Sequence, residues 1–288
     1  MFILLGASDD PCLLAVTAAL AERGRDASIL AHPFAGPACS ALRFDSAGSD
    51  VTLSIDGKSI AIDGVLATRR PLPRIMSSEQ WSQANLLYAS AEAEAALLGW
   101  LWGLRCPVVD RLPAWLWYHT RRPLLVWAPL LAQAGLPPLD SVISADAQQL
   151  ARFMARQGGA AIDPPAGGPR QLAGADAAAE LSDSASRAPL RLSELHEGAW
   201  RGCLVGTRLI WDDGTPPAAD RLGQRLHSFA AQAGLSFVEF VVTSDAAPRI
   251  VDVEPRARYE LFGPSAQRGI ADALADVLTQ ANSRRAAS

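Results

Sequence analysis

Lysine is all but missing from this chain of 288 residues. Lys58 is the single example, so 25 of the 26 basic residues are arginines. Lysine-based phosphate sites are thereby nearly excluded, and a strong cation site must be built from guanidinium groups. Charge of either sign is sparse. Charged residues make up 19%, the net charge is −4 and the pI is about 5.6. No sequence-wide basic field exists to hold nucleic acid or an anionic membrane. Long apolar runs are lacking too. The longest, about Leu124 to Gly135, is broken by Pro129 and is too short to span a bilayer. The N-terminal Met1-Phe2-Ile3-Leu4-Leu5-Gly6 has no basic flank and soon meets Asp9-Asp10, so it reads as a strand and not a signal peptide. Cysteine offers no framework either. Cys12, Cys39, Cys106 and Cys203 form no C-x-x-C pair and have no zinc spacing with histidine. Thiols in a reduced compartment are expected, and with them a cytoplasmic protein. Neither G-x-G-x-x-G nor G-x-S-x-G is present.

What is there is a large apolar share, 49%, which rules out a mainly disordered chain. Folding should bury about three quarters of the unfolded surface. The length suggests about two domains.

Residues 2–5, a helix from Pro11 closed by Gly24, and Ala27 to Leu30 open the chain as a Rossmann-like strand–helix–strand unit. Residues 50–62 alternate around Asp56-Gly57, a hairpin signal. A strand from Gly64 to Thr68 follows, then a helix from about Ser78 to Leu104 with Leu87, Ala91, Leu98 and Leu101 near its buried stripe. A domain boundary is placed at Arg121-Arg122-Pro123. The second half predicts a helix to Ala134, a strand near 141–144, a helix from Ala145 to Arg156 and a strand from Ala160 to Asp163. Strands at 190–195 and 202–211 flank a turn at Glu197-Gly198, and helices cover 219–234 and 266–281. Residues 171–188, rich in Ala, Ser and Asp, read as a mobile loop. His32, His119, His196 and His227 share no spacing.

The sharpest chemical signal lies in two adjacent strands. Phe237 to Val242 carries Glu239, and Arg249 to Arg256 carries Asp252 and Glu254. Side chains alternate along a strand, so Asp252 and Glu254 share a face. A hairpin about Asp245-Ala246 puts Glu239 opposite Asp252 and diagonal to Glu254. Like charges directly across strands repel. A divalent cation with oxygen ligands, such as Mg²⁺, resolves that conflict. Neutralisation by Arg201, Arg256 and Arg258, or exposure to water, resolves it equally.

With these residues in place, the second half resembles the ATP-grasp superfamily, in the branch of RimK-like and graspetide-type peptide ligases. Glu239 matches that family's first metal ligand, and Asp252-Val253-Glu254-Pro255-Arg256 resembles its Glu-Val-Asn-Pro-Arg run. The stretch from Ser193 through Glu194 and Arg201 to Gly206 resembles the family's adenine-contacting linker and its phosphate-approaching arginine. Arg121-Arg122 and Asp163 stand where the family has its two phosphate-binding lysines. Gly167-Gly168 fits a phosphate-covering loop, and ordinary turn glycines beside prolines fit as well.

The resemblance implies a Rossmann-like pre-grasp domain over 1–120. It implies an ATP-grasp domain over 121–288, made of two α+β subdomains, 121–192 and 193–288. It implies ATP and Mg²⁺, with the ion on Glu239, Asp252 and Glu254. Arg122, Arg170, Glu194, Arg201, Gly167 and Gly168 would hold the nucleotide, and Arg201 and Arg256 would act in catalysis. The implied reaction joins a small-molecule or peptide carboxylate to an amine through an acyl phosphate. The alternative is a degenerate grasp protein that binds a peptide or partner without ATP turnover. The resemblance leaves room for a homodimer or a partner enzyme.

Overall fold

The computed structural model describes residues 1–34, 38–45, 48–67, 81–109, 124–162, 170–172, 189–212, 214, 216, 219–255 and 257–286. The first sheet grows from β1 (Phe2–Leu5), α1 (Pro11–Glu22) and β2 (Ala27–Leu30). Asp10 caps α1 with its carboxylate on the Cys12 and Leu13 amides, and Pro11 occupies the first helical position. A hairpin of β3 (Ala38–Asp45) and β4 (Gly48–Ile55) follows, and β5 (Lys58–Ser59) turns back on it at Asp56-Gly57. Next come β6 (Gly64–Ala67), α2 (Gln83–Gly103) and β7 (Val108–Val109). Strands β2-β1-β6-β7 form one parallel sheet.

Two antiparallel sheets make the second half. α3 (Leu124–Gln133) leads to a small one, ordered β10-β9-β11-β8. It comprises β8 (Ser141–Ser144), β9 (Ala160–Ile162), β10 (Arg170–Leu172) and β11 (Leu190–Ser193), with α4 (Ala147–Gln157) against it. The other is ordered β13-β12-β14-β15, from β12 (Ala199–Val205), β13 (Arg208–Trp211), β14 (Phe237–Thr243) and β15 (Ile250–Glu254). α5 (Ala219–Ala233) and the C-terminal α6 (Pro264–Ala286) complete the chain.

Two large cores run through both the parallel sheet and the β12–β15 sheet. One gathers Ile3, Leu5, Leu97 and Trp100 with Trp127, Phe229, Val238 and Phe240. The other joins Phe2, Leu4 and Leu13 to Cys203, Phe237, Phe262 and Leu274. α6 therefore packs back across the first sheet's helix, and Arg23 on α1 clamps Asp272 and Asp276 of α6. The small sheet has its own core of Leu150, Phe153, Ala160, Leu190 and Leu192.

Several expectations need correction. The expected α2 stripe holds only at its C-terminal end. Leu101 is buried and Leu98 packs partly buried on the core, beside buried Leu97 and Trp100, whereas Leu87 is 66% exposed and Ala91 is exposed, because only the C-terminal half of α2 meets the core. β3 was not expected, and residues 202–211 form a hairpin rather than one strand. That hairpin turns at Gly206, where φ is +57°. The boundary at 121–123, residues 173–188 and Asp163 lie outside the described residues.

Candidate functional site

Strand β14 is central, with β12 on one side and β15 on the other. Residues directly opposite in antiparallel pairs share a face. Glu239 pairs with Cys203 and with Glu254, while Val241 pairs with Arg201 and with Asp252. One face therefore carries Arg201, Glu239, Asp252 and Glu254 together. The expected register is off by one pair. Glu239 sits opposite Glu254 and diagonal to Asp252, because the turn spans more residues than a tight Asp245-Ala246 hairpin and a bulge intervenes at Val241/Val242. Gly202, between Arg201 and Cys203, lets the Trp211 ring lie on the opposite face. A Cβ there would stand 2.7 Å from the ring.

Glu239 is fully buried, at the border where the apolar core of Cys203 and Phe237 ends. A lone buried carboxylate is costly. Here both oxygens are taken. Oε1 accepts from Nη1 of Arg201 and from Nη2 of Arg258 at 2.6 Å. Oε2 accepts from Nε of Arg258 at 3.1 Å and from the Arg258 amide at 2.9 Å. Arg258 thus grips Glu239 with a two-point fork and also lies 3.5 Å from Asp252. Burial alone would lower the Arg258 pKa. The hydrogen bonds to Glu239 and the charges of Glu239, Asp252 and Glu254 outweigh it and hold the group above its usual value. The outer ends of both arginines stay open, with side chains 28% and 34% exposed. The Arg201 guanidinium also lies over the Phe262 ring, 5.9 Å from its centre.

Glu239, Asp252 and Glu254 are the carboxylates expected to hold a metal. They share a face, but among the described residues no group of three His, Cys, Asp or Glu side chains is close enough to hold an ion. The physical reason is that arginine saturates Glu239. The donor set still fits Mg²⁺ in a two-carboxylate form, Asp252 with Glu254, since this ion is usually held by one or two carboxylates plus substrate phosphates.

Glu194 leaves the small sheet on the strand that crosses to β12. Its amide donates to the Asp140 carbonyl at 3.0 Å, and its side chain pairs with Arg249. The return crossing is tied by Leu139 and Ile250, which exchange backbone bonds at 2.9 Å with Ile250 and Pro137 carbonyls. Arg170 lies on β10 opposite Ile162. Arg122, Gly167, Gly168 and Arg256 lie outside the described residues. Arg258, which the sequence offers only as one of three neutralising arginines, is the principal partner of Glu239. Its signal was the alternation Glu254, Arg256, Arg258 running off the strand end.

No protein-family model and no curated protein matches the sequence. Solved structures do match its shape. The macrocyclase MdnC from Microcystis aeruginosa, bound with precursor peptide MdnA, superposes with a TM-score of 0.75 at 14% identity. The match covers 97% of this chain and 100% of that one. The ATP-grasp ligase PsnB, complexed with minimal precursor, Mg and ADP, gives 0.75 at 21% identity over 98% of each chain. A RiPP-associated ATP-grasp ligase from Chryseobacterium gregarium, in complex with ADP and a leader and core peptide, gives 0.72 at 12% identity, covering 97% of this chain and 96% of that one. The chain has the ATP-grasp fold.

Proposed function

We propose that this chain is an ATP-dependent peptide-modifying ligase that joins a carboxylate to an amine through an acyl phosphate. The observation that carries the reading is the pair of arginines fixed on one buried glutamate, with Asp252 and Glu254 beside them on the same face. Its support is the overall likeness to ligases solved with peptides and nucleotides.

Phosphoryl transfer asks little covalent chemistry of a protein and much positioning of charge. In the first half-reaction a substrate carboxylate oxygen bonds to the γ-phosphorus of ATP and the bond to the bridging oxygen breaks, releasing ADP. In the second, an amine nitrogen bonds to the acyl carbon, phosphate departs with its bonding pair and the nitrogen loses a proton. Glu239 holds the guanidiniums of Arg201 and Arg258 in place before substrate arrives. Their unused donors, including Nη1 of Arg258, face the transferring phosphoryl group and offset its charge. They take the part that lysines play in the family. Asp252 and Glu254 would hold Mg²⁺, which when bound neutralises phosphate charge. Glu194 and its neighbours line the crossing where the adenine rests, with Arg122, Arg170, Gly167, Gly168 and Arg256 completing the nucleotide contacts.

Calorimetry with Mg-ATP tests the proposal. The wild type binds. Arg201→Ala loses binding or about 10²–10³ in turnover, the usual cost of one lost transition-state contact. Arg208→Ala, which removes an exposed pair with Asp276, changes neither. A wild type that takes up no Mg-ATP overturns the ligase reading in favour of a peptide-binding protein without turnover.

A further inference from the structure

Away from the carboxylate face, a cleft of about 550 Å³ opens between α5 and the loop joining β14 to β15. Its charged lining is Arg221, Arg225, Arg249 and Asp245, and Leu222 and Pro248 supply apolar wall. Arg249 is already neutralised. It pairs with Glu194 and lies 3.6 Å from Asp245. Arg225 donates Nη1 to the Gly135 carbonyl at 3.0 Å, which anchors its guanidinium, and no carboxylate pairs with it among the described residues. Arg221 is exposed and has no partner among the described residues. Two positive charges therefore line a concave surface with no carboxylate assigned to them, in a chain whose net charge is negative.

We infer that this cleft binds an extended acidic segment of the peptide substrate, with carboxylates at alternate positions on Arg221 and Arg225. The inference rests on the proposed peptide-ligase reading for the identity of the peptide. The spacing selects the ligand. Residues four apart on a helix are about 6 Å apart along its axis. Side chains on one face of an extended chain repeat every two residues, about 6.6 Å. Two alternate glutamates or aspartates thus meet the two guanidiniums in register, each able to form a two-point contact. The apolar wall gives intervening aliphatic side chains a surface that inorganic phosphate cannot use. Exposed ion pairs are individually weak, so binding should be modest and salt-sensitive.

The test needs no nucleotide. A fluorescein-labelled peptide alternating glutamate with valine is titrated with the full chain at low ionic strength, and anisotropy is followed. The wild type should bind it at least about tenfold more tightly than the same peptide with glutamine. Arg221→Glu should remove binding, Arg225→Gln should weaken it, and Arg208→Ala, which removes an exposed pair with Asp276, should leave it unchanged. Inorganic phosphate should displace no more peptide than sodium chloride of the same ionic strength. Thermal melting of Arg221→Glu should match the wild type, because nothing is lost with a partnerless side chain, and Arg221→Gln serves if it does not. Equal binding of the glutamine peptide, indifference to both arginine substitutions, or displacement by phosphate beyond that of sodium chloride at equal ionic strength would each overturn the inference. Failure of Mg-ATP binding would sink the ligase reading and leave this result standing.

Discussion

The two antiparallel sheets of the second half are built from the same kind of element and behave as opposites. The β12–β15 sheet packs apolar residues on both faces, while its carboxylate face stays partly open at Arg201 and Arg258. Its central strand β14 is almost wholly buried along seven residues, and its two faces feed the two large cores. The β8–β11 sheet has strands of three or four residues, and the helix α4 covers it with a five-residue core. The first can hold a buried carboxylate between two guanidiniums, because the strand that carries Glu239 is packed and paired on both sides. The second hangs on two crossings, near 137–140 and 194–198, tied mainly by backbone bonds and the Glu194–Arg249 pair. Stability is not uniform across a structure, and segments with few buried contacts open first. The charged cluster sits on the deeply packed sheet, and the lightly packed one leads into the crossing proposed for the nucleotide.

The contrast is broken most severely from its rigid side. Phe240 is fully buried and packs edge-on against Phe229, with ring centres 5.8 Å apart. Phe240→Ala should lower global stability by about 3–5 kcal/mol, measured by urea unfolding. A loss below about 1 kcal/mol would mean that the two cores are not cooperative.

A matched substitution in the small lobe should behave differently. Phe153→Ala removes one of the five buried residues beneath the β8–β11 sheet. Hydrogen exchange should rise across 141–162 and 190–193, while α6 and β14 keep wild-type protection. Uniform acceleration through both sheets would show that they unfold as one unit.

The smallest effect sharpens the comparison by pH. His32 is buried in the body, its Nδ1 accepting the Phe34 amide at 3.2 Å, and burial holds its pKa below the ordinary 6.5. The lobe, residues 141–193, contains no histidine. Below pH 6.5 the unfolded chain takes up a proton that the folded one resists, so the contribution of His32 is complete above 6.5 and is lost on acidification. His32→Asn should flatten that acid slope in the global melt without altering exchange in the lobe. An unchanged slope would assign it to other groups.

Much of this was legible along the chain. The opening strand–helix–strand unit was marked by Asp10, Pro11 and Gly24, and the structure has a strand, a capped helix and a strand there. The helices at 219–233 and 264–286 and the hairpin at Asp56-Gly57 are likewise local signals. Glu239, Asp252 and Glu254 were expected on one face, since alternation is a local rule, and they share it. The pairing register differs from the one alternation predicts, because it depends on the turn and the bulge. Leu87 is exposed against expectation, because periodicity marks a stripe without saying how far the covering core extends.

The sequence alone determined the kinds of element, the near absence of lysine and thus the reliance on guanidinium, and the order of motifs that resembles the ATP-grasp family. Only the tertiary structure decided what Glu239 does. A strand pattern can bring carboxylates to one face, but it cannot say which cation answers them. Arg258 is 19 residues away along the chain and reaches Glu239 only because β15 pairs with β14 and the chain then turns back over the sheet. Burial makes that answer obligatory, since a carboxylate removed from water must be hydrogen-bonded and neutralised by whatever the fold brings nearest.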